Sequence, residues 1–148
     1  MDNQTPAQRR KNMQAVKNKD SKIELLLRNE LWKRGLRYRK NVKGVFGHPD
    51  IAFIGKKVVV FCDSEFWHGF DWENKKNEIK SRQDFWIPKI ERNIQRDNEV
   101  NDKLCAEGWL VLRFWGKEIN KNTIVCADDI VRALEGNYEL CIGRIFRL

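Results

Sequence analysis

Apolar positions change their period several times along the chain, and each change marks a new element. Between residues 22 and 34 they recur every three or four positions, at Ile23, Leu26, Leu27 and Leu31, which predicts an amphipathic helix. Ser21 with Glu24 three residues on forms a capping box at its start, and Gly35 closes it. The period then shortens. Leu36–Lys40 alternates apolar and basic residues, Asp50–Ile54 is a short apolar run, Gly55-Lys56 turns the chain, and Lys57–Cys62 is a continuous β-branched run of the kind buried on both faces. Three consecutive strands are predicted. Ile87-Pro88 opens a long helix to about Glu107, marked by Ile87, Ile90, Ile94 and Leu104 and stopped by Gly108. Trp109–Trp115 reads as a fourth strand and residues 123–135 as a last amphipathic helix, while Tyr138–Leu148 carries only a faint strand signal.

Two stretches fit no core pattern. Thr5-Pro6 with Gln8 starts a helix to about Val16, but its faces are Arg9, Arg10, Lys11, Asn12 and Met13, so it would gain most by lying on something anionic. Residues 63–86 show no period and carry Trp67, Trp72 and Trp86, half of the six tryptophans. A compact domain rarely keeps so long an irregular stretch unless it has a task. The predicted order α, α, β, β, β, α, β, α is that of one mixed α/β domain, with residues 1–20 as a basic arm and 21–148 as the folded body.

Composition narrows the classes. The 148 residues suffice for one domain and are too few for two full ones, and 41% hydrophobic against 34% charged residues excludes a disordered chain. A mean hydropathy of −0.67, no membrane-length apolar run and no apolar signal core at the start predict a cytoplasmic protein without a membrane partner. The net charge of +8 is uneven. Residues 1–45 hold 13 Lys/Arg against 4 Asp/Glu, a local balance of +9, while the other 103 hold 16 against 17. A polyanion such as nucleic acid is the expected partner of that basic third. Cys62, Cys105, Cys126 and Cys141 form no C-x-x-C pair, so neither a disulfide nor a metal is assigned to them.

Candidate chemistry gathers around the strand ends. Asp50 opens one strand and Asp63 ends the next, which places two carboxylates at the same end of neighbouring strands, where one hard cation could be shared. The bland alternative is a turn aspartate and a solvated strand end. His68 follows in Phe66-Trp67-His68-Gly69; histidine is the usual general base near neutral pH, although a loop histidine is more often a surface residue. Phe66, Trp67 and Trp86 stand among Lys75, Lys80, Arg82 and Lys89, the mixture that wedges between bases and holds the backbone beside them; packing into a core is the competing reading. Glu24 is explained by its capping box alone, and His48 by a turn.

The motifs QRRKNMQAVKNKDSKIE, GHPDIAF, VVVFCDSEFWHG, DFWIPKIERNIQRD and GWLVLRFW, in that order over about residues 8–116, resemble the very short patch repair (Vsr) endonucleases. The resemblance implies a restriction endonuclease-like fold of the PD-(D/E)xK superfamily and an enzyme that nicks one DNA strand at T:G mismatches left by deamination of 5-methylcytosine. It implies that Asp50 and the main-chain carbonyl of Cys62 hold Mg²⁺, with Mn²⁺ as a substitute. His68 would activate the attacking water, Asp63 would lie beside metal or phosphate, and Glu24 would hold water at the metal. Lys11, Asn12 and Met13, with Arg9 and Arg10, would enter the DNA groove; Phe66, Trp67 and Trp86, with Lys89, would wedge beside the mismatch. Double-stranded DNA is the implied partner of a monomer in the nucleoid, with mismatch-repair proteins as further candidates.

The chain departs from the family's DGCFWHGC motif. Glu65 and Phe70 replace zinc ligands, and Trp115-Gly116-Lys117 replaces a WEC-type element, so no structural zinc is expected and the loop should be held by packing through Phe70 and Trp72. No lysine stands two residues after Asp63, which leaves that work to His68. A nuclease with another DNA target and a non-catalytic DNA-binding module are the alternatives. Neutralising Arg9, Arg10 and Lys11 together should weaken binding to every duplex and flatten the salt dependence of the affinity, measured by titration at several ionic strengths; an unchanged slope would make the segment a mere tail.

Overall fold

The computed structural model describes residues 21–136 and 144–146. The predicted helix over 5–16, the basic arm and its residues Arg9, Arg10, Lys11, Asn12 and Met13 lie outside them. Helix α1 (Lys22–Lys33) is capped by the Ser21 hydroxyl, which accepts from the Glu24 amide, and ends where Leu36 N–H reaches back to the Leu31 carbonyl around left-handed Gly35. Then come β1 (Arg39–Lys40), β2 (Ile51–Phe53) and β3 (Val58–Asp63), joined to helix α2 (Trp72–Lys75) by an irregular loop. Helix α3 (Gln83–Ala106), β4 (Leu110–Trp115), helix α4 (Gly116–Leu134) and β5 (Arg144–Phe146) complete the order.

One five-stranded sheet runs β1-β2-β3-β4-β5, antiparallel except for the parallel β3–β4 pair. That pair is why β3 and β4 read as unbroken apolar runs: α3 crosses between them on one face, and α1 with α4 covers the other. Alternate residues serve the two faces. Val58, Val60, Cys62, Leu110, Leu112 and Phe114 pack with Leu27, Leu31, Ile119 and Ile130 of α1 and α4. Val59, Phe61 and Val111 pack with Val100, Leu104 and Cys105 of α3.

Three boundaries differ from those predicted. Helix α3 begins at Gln83, four residues before Ile87, and takes in Pro88 as its sixth residue at the cost of the bond an N–H there would have made to the Asp84 carbonyl. Helix α4 follows β4 with no loop at Gly116, and its axis breaks at Asn122 (φ −136°, ψ 51°); the residues after the break are the amphipathic segment the period revealed. The first predicted strand shrinks to two residues, because exposed Arg39 and Lys40 bury nothing. The faint signal of the tail corresponds to β5, which pairs with β4.

A turn over residues 41–49 carries the chain from β1 to β2 and is pinned against α3 at Gly47. Its φ is +84°, and a Cβ there would stand 2.5 Å from Cγ1 of Val100, a side chain with almost no freedom to yield. Gly47→Ala should therefore lower Tm by about 4 °C or more in a thermal melt, and a neutral substitution would show that this turn does not rest on α3.

Candidate active site

The two antiparallel strands β2 and β3 pair Ile51 with Val60, so Asp50 and Asp63 stand at the same end of the sheet, as their positions in the sequence predict. Asp50 Oδ2 accepts from the Cys62 amide at 2.7 Å, which fixes the carboxylate beside the main chain of β3. The Cys62 thiol faces the apolar layer, where burial pushes its pKa well up and keeps it neutral. Glu24 is only 4% exposed, and its carboxyl hydrogen-bonds to that of Asp50. Its backbone amide meets the Ser21 hydroxyl, one half of the predicted capping box, while its side chain meets Asp50 in the cleft.

Burial first, and the Glu24 charge second, push the Asp50 pKa to about 8 against the Cys62 hydrogen bond that lowers it. Two carboxyls sharing a proton beside a strand are an all-oxygen donor set with more negative charge than the site can hold alone, which suits a hard divalent cation.

The other half of the site lies on the α3 face. His68 Nδ1 is 2.6 Å from Asp97 Oδ2 and 3.7 Å from Asp63 Oδ1. In the neutral ring this hydrogen bond to a carboxylate favours the proton on Nδ1 and the lone pair on Nε2. Burial lowers the His68 pKa, but the Asp97 hydrogen bond and the charges of Asp63 and Asp97 outweigh it and leave the pKa raised, with Arg113 opposing them. Arg113 Nη1 meets both oxygens of Asp63, at 3.1 and 3.2 Å, and Asp97 Oδ1 at 3.5 Å. Asp63, His68 and Asp97 each offer a ligand atom within 4.8 Å of the others, so this trio could hold a metal ion. All these groups line one cleft of about 990 Å³, together with His48, Trp67, Asn93 and Arg96.

Sequence reading missed Asp97, Asn101, Asn93 and Arg113. Asn93, Asp97 and Asn101 are spaced by four and so form a polar line on α3, where they bind in turn the Trp67 carbonyl (3.0 Å), His68 and Arg113 Nε (2.7 Å). That line, and a lone arginine in the apolar run LVLRFW, were the available signals.

The predicted aromatics assemble at the edge of the cleft, which Trp67 itself lines. Phe66, Trp67 and Trp86 meet edge to face with centroids 5.2–5.5 Å apart, Phe85 joins through Trp86, and Lys89 stands over Trp67 and Phe85. Phe66 remains 47% exposed, more than a core residue would be. At the positions where zinc ligands are replaced, Glu65 Oε2 accepts from the Lys117 amide at the start of α4, and Phe70 packs edge-on against Trp115 at 5.1 Å. Trp72 donates to Glu91. Among the described residues there is no cysteine-based zinc site; Cys62, Cys105 and Cys126 are separate buried thiols. No helix among the described residues is long and apolar enough to cross a membrane.

Residues 1–74 match the family of the DNA mismatch endonuclease Vsr. The chain is 54% identical to the type II nicking enzyme V.NmeDIP of Neisseria meningitidis serogroup C over 90% of each protein, and 51% identical to the type II nicking enzyme V.HpaIIP of Haemophilus parainfluenzae over 96% of this chain and 99% of that one. It is 34% identical to the DNA mismatch endonuclease Vsr of Escherichia coli (strain K12), over 74% of this chain and 69% of its relative. The chain belongs to the Vsr family of DNA endonucleases.

The raised pKa of Asp50 has a consequence for stability. The unfolded carboxyl ionises near 3.8 and the folded one near 8, so without divalent metal the folded state loses stability as pH rises through that window. Asp50→Asn should melt about 4 °C or more above the parent at pH 8 in chelator, with the gap closing near pH 4; a lower Tm at pH 8 would contradict the charge crowding described here.

Proposed function

We propose that this chain nicks one strand of double-stranded DNA at or near a T:G mismatch, using Mg²⁺, with Mn²⁺ as a substitute, on a PD-(D/E)xK-type core. The observation that carries the proposal is the meeting of the Asp50–Glu24 pair and the His68–Asp97 pair in one cleft, beside an exposed cluster of aromatic rings and cations. Asp50 and the Cys62 carbonyl would hold the metal. When bound, Mg²⁺ supplies Lewis-acid stabilisation of charge on the phosphate and leaving oxygen.

The protein's own groups do the rest. His68 takes the proton of the attacking water at Nε2, while Asp97 fixes the ring through Nδ1 and stabilises the imidazolium that results. Glu24, held against Asp50, orders water in the cleft. Phe66, Trp67 and Trp86 enter the stack beside the weakened pair, and Lys89 holds the adjoining backbone. The basic arm at residues 1–20 clasps the duplex. The protein works as a cytoplasmic monomer at the nucleoid, with mismatch-repair proteins as candidate partners.

The names of the nearer relatives support a second reading, a nicking enzyme with a different DNA target. One assay separates the two: nicking of matched duplexes carrying T:G, another mismatch or none, with and without Mg²⁺. Cleavage of T:G alone is expected, and equal cutting of unmismatched DNA would favour the second reading. Asp50→Ala should abolish nicking yet leave DNA binding within about threefold, whereas full activity would remove Asp50 from the reaction.

A further inference from the structure

Arg113 lines the cleft, yet neither the motif that contains it, GWLVLRFW, nor the proposed chemistry gives it a role. It sits in β4, 2% exposed, in register with Phe61 of β3, and its guanidinium lies 4.2 Å over the Phe61 ring. Burying an arginine is unfavourable unless its donors are met. Here they are met from two elements at once: Nη1 by Asp63 at the end of β3 and by Asp97 of α3, Nε by Asn101 one turn further along α3. The same two aspartates flank Nδ1 of His68.

We infer that Arg113 is the fixed cation of the Asp63–His68–Asp97 cluster and the positioning residue of the His68–Asp97 pair, so that this half of the site needs no metal ion. The three ligand atoms of the cluster lie close enough for a metal, but a guanidinium already stands within 3.1–3.5 Å of two of the three residues. A second cation placed there would meet that charge at short range beside the buried Arg113–Asp63 pair, where Coulomb repulsion is large. Asp63 is thereby engaged as the counter-ion of Arg113, turned toward the α3 layer rather than toward Asp50. Asp97 is held at one oxygen by Arg113 and offers the other to His68, which fixes the tautomer and the plane of the ring. The planar fork of arginine can meet Asp63, Asp97 and Asn101 together; a lysine ammonium cannot reach all three.

The inference rests on His68 acting as the base, and its test does not depend on nicking alone. The chain has two histidines, His48 and His68, so ¹⁵N-resolved spectra of the imidazoles separate them readily. In the parent protein His68 should show a persistent Nδ1 proton, unchanged by excess Mg²⁺. Loss of that proton on adding Mg²⁺ would mean that the cluster binds the metal and would overturn the inference. Arg113→Gln should exchange the Nδ1 proton rapidly and lower kcat about 100-fold while KM for DNA stays within about threefold, and Arg113→Lys should recover only part of either. If the orphaned Asp63 charge prevents Arg113→Gln from folding, the neutral pair Asp63→Asn with Arg113→Gln removes that obstacle and should show the same mobile ring and low kcat. A parent-like Nδ1 signal and kcat in either the single or the double variant would overturn the role. A parent protein that fails to nick any duplex, yet keeps the Arg113-dependent Nδ1 signal, would count against the proposed function and not against this positioning.

Discussion

Everything in the cleft answers to one constraint: four carboxyls, those of Glu24, Asp50, Asp63 and Asp97, converge on one cleft. Like charges that close cannot all stay ionised and uncompensated, and the protein meets the demand in two ways. On the α3 face a buried guanidinium supplies permanent positive charge. On the α1 face no such residue is built in, and the pair Glu24–Asp50 instead holds a proton that a hard cation can displace. On the proposed reading the sheet divides the site into a half that is complete within the chain and a half that a bound cation would complete.

The split follows from β-strand geometry. Asp63 and Cys62 are neighbours in sequence and so point to opposite faces of β3, one toward Arg113 and the other toward the apolar layer under α1. Had the carboxylate stood one residue earlier, it would have joined Asp50 and Glu24 and worsened their repulsion. The irregular loop after β3 then returns His68 to the α3 side, where Gly69 (φ +68°) lets the backbone pass so close to Ile94 that a Cβ would overlap it. Glu65, on the dipole-positive start of α4, and Phe70, on Trp115, tie the same loop to the sheet from its other flank. The loop is therefore held by contacts to three separate elements, α3, α4 and β4.

Much of this was legible in the sequence because local chemistry left a local mark. The apolar run of β3, the capping box of α1, the glycine stops and the placing of Asp50 and Asp63 all follow from patterns a few residues long. The fold order emerged from them, with errors at boundaries set by tertiary packing, such as the start of α4 directly at Gly116. Glu24 could be named only as a candidate, since its dual role depends on a contact with Asp50, 26 positions away. Arg113 and Asn101 stayed hidden for the same reason: each looks like an ordinary polar residue until β4 and α3 are laid against each other. Asp97 lay inside a recognised motif, and only its partner was missing.

Helix α3 passes into β4 through a turn of three residues, Glu107, Gly108 and Trp109, with Gly108 left-handed and the Trp109 amide bonded back to Leu104. This junction sets how far the strand is advanced when it meets Asp97 and Asn101. Inserting or deleting a single residue there would slide β4 by one position and turn Arg113 to the opposite side, among Leu27, Leu31 and Ile130. Descendants of this chain can thus vary the composition of that turn far more freely than its length.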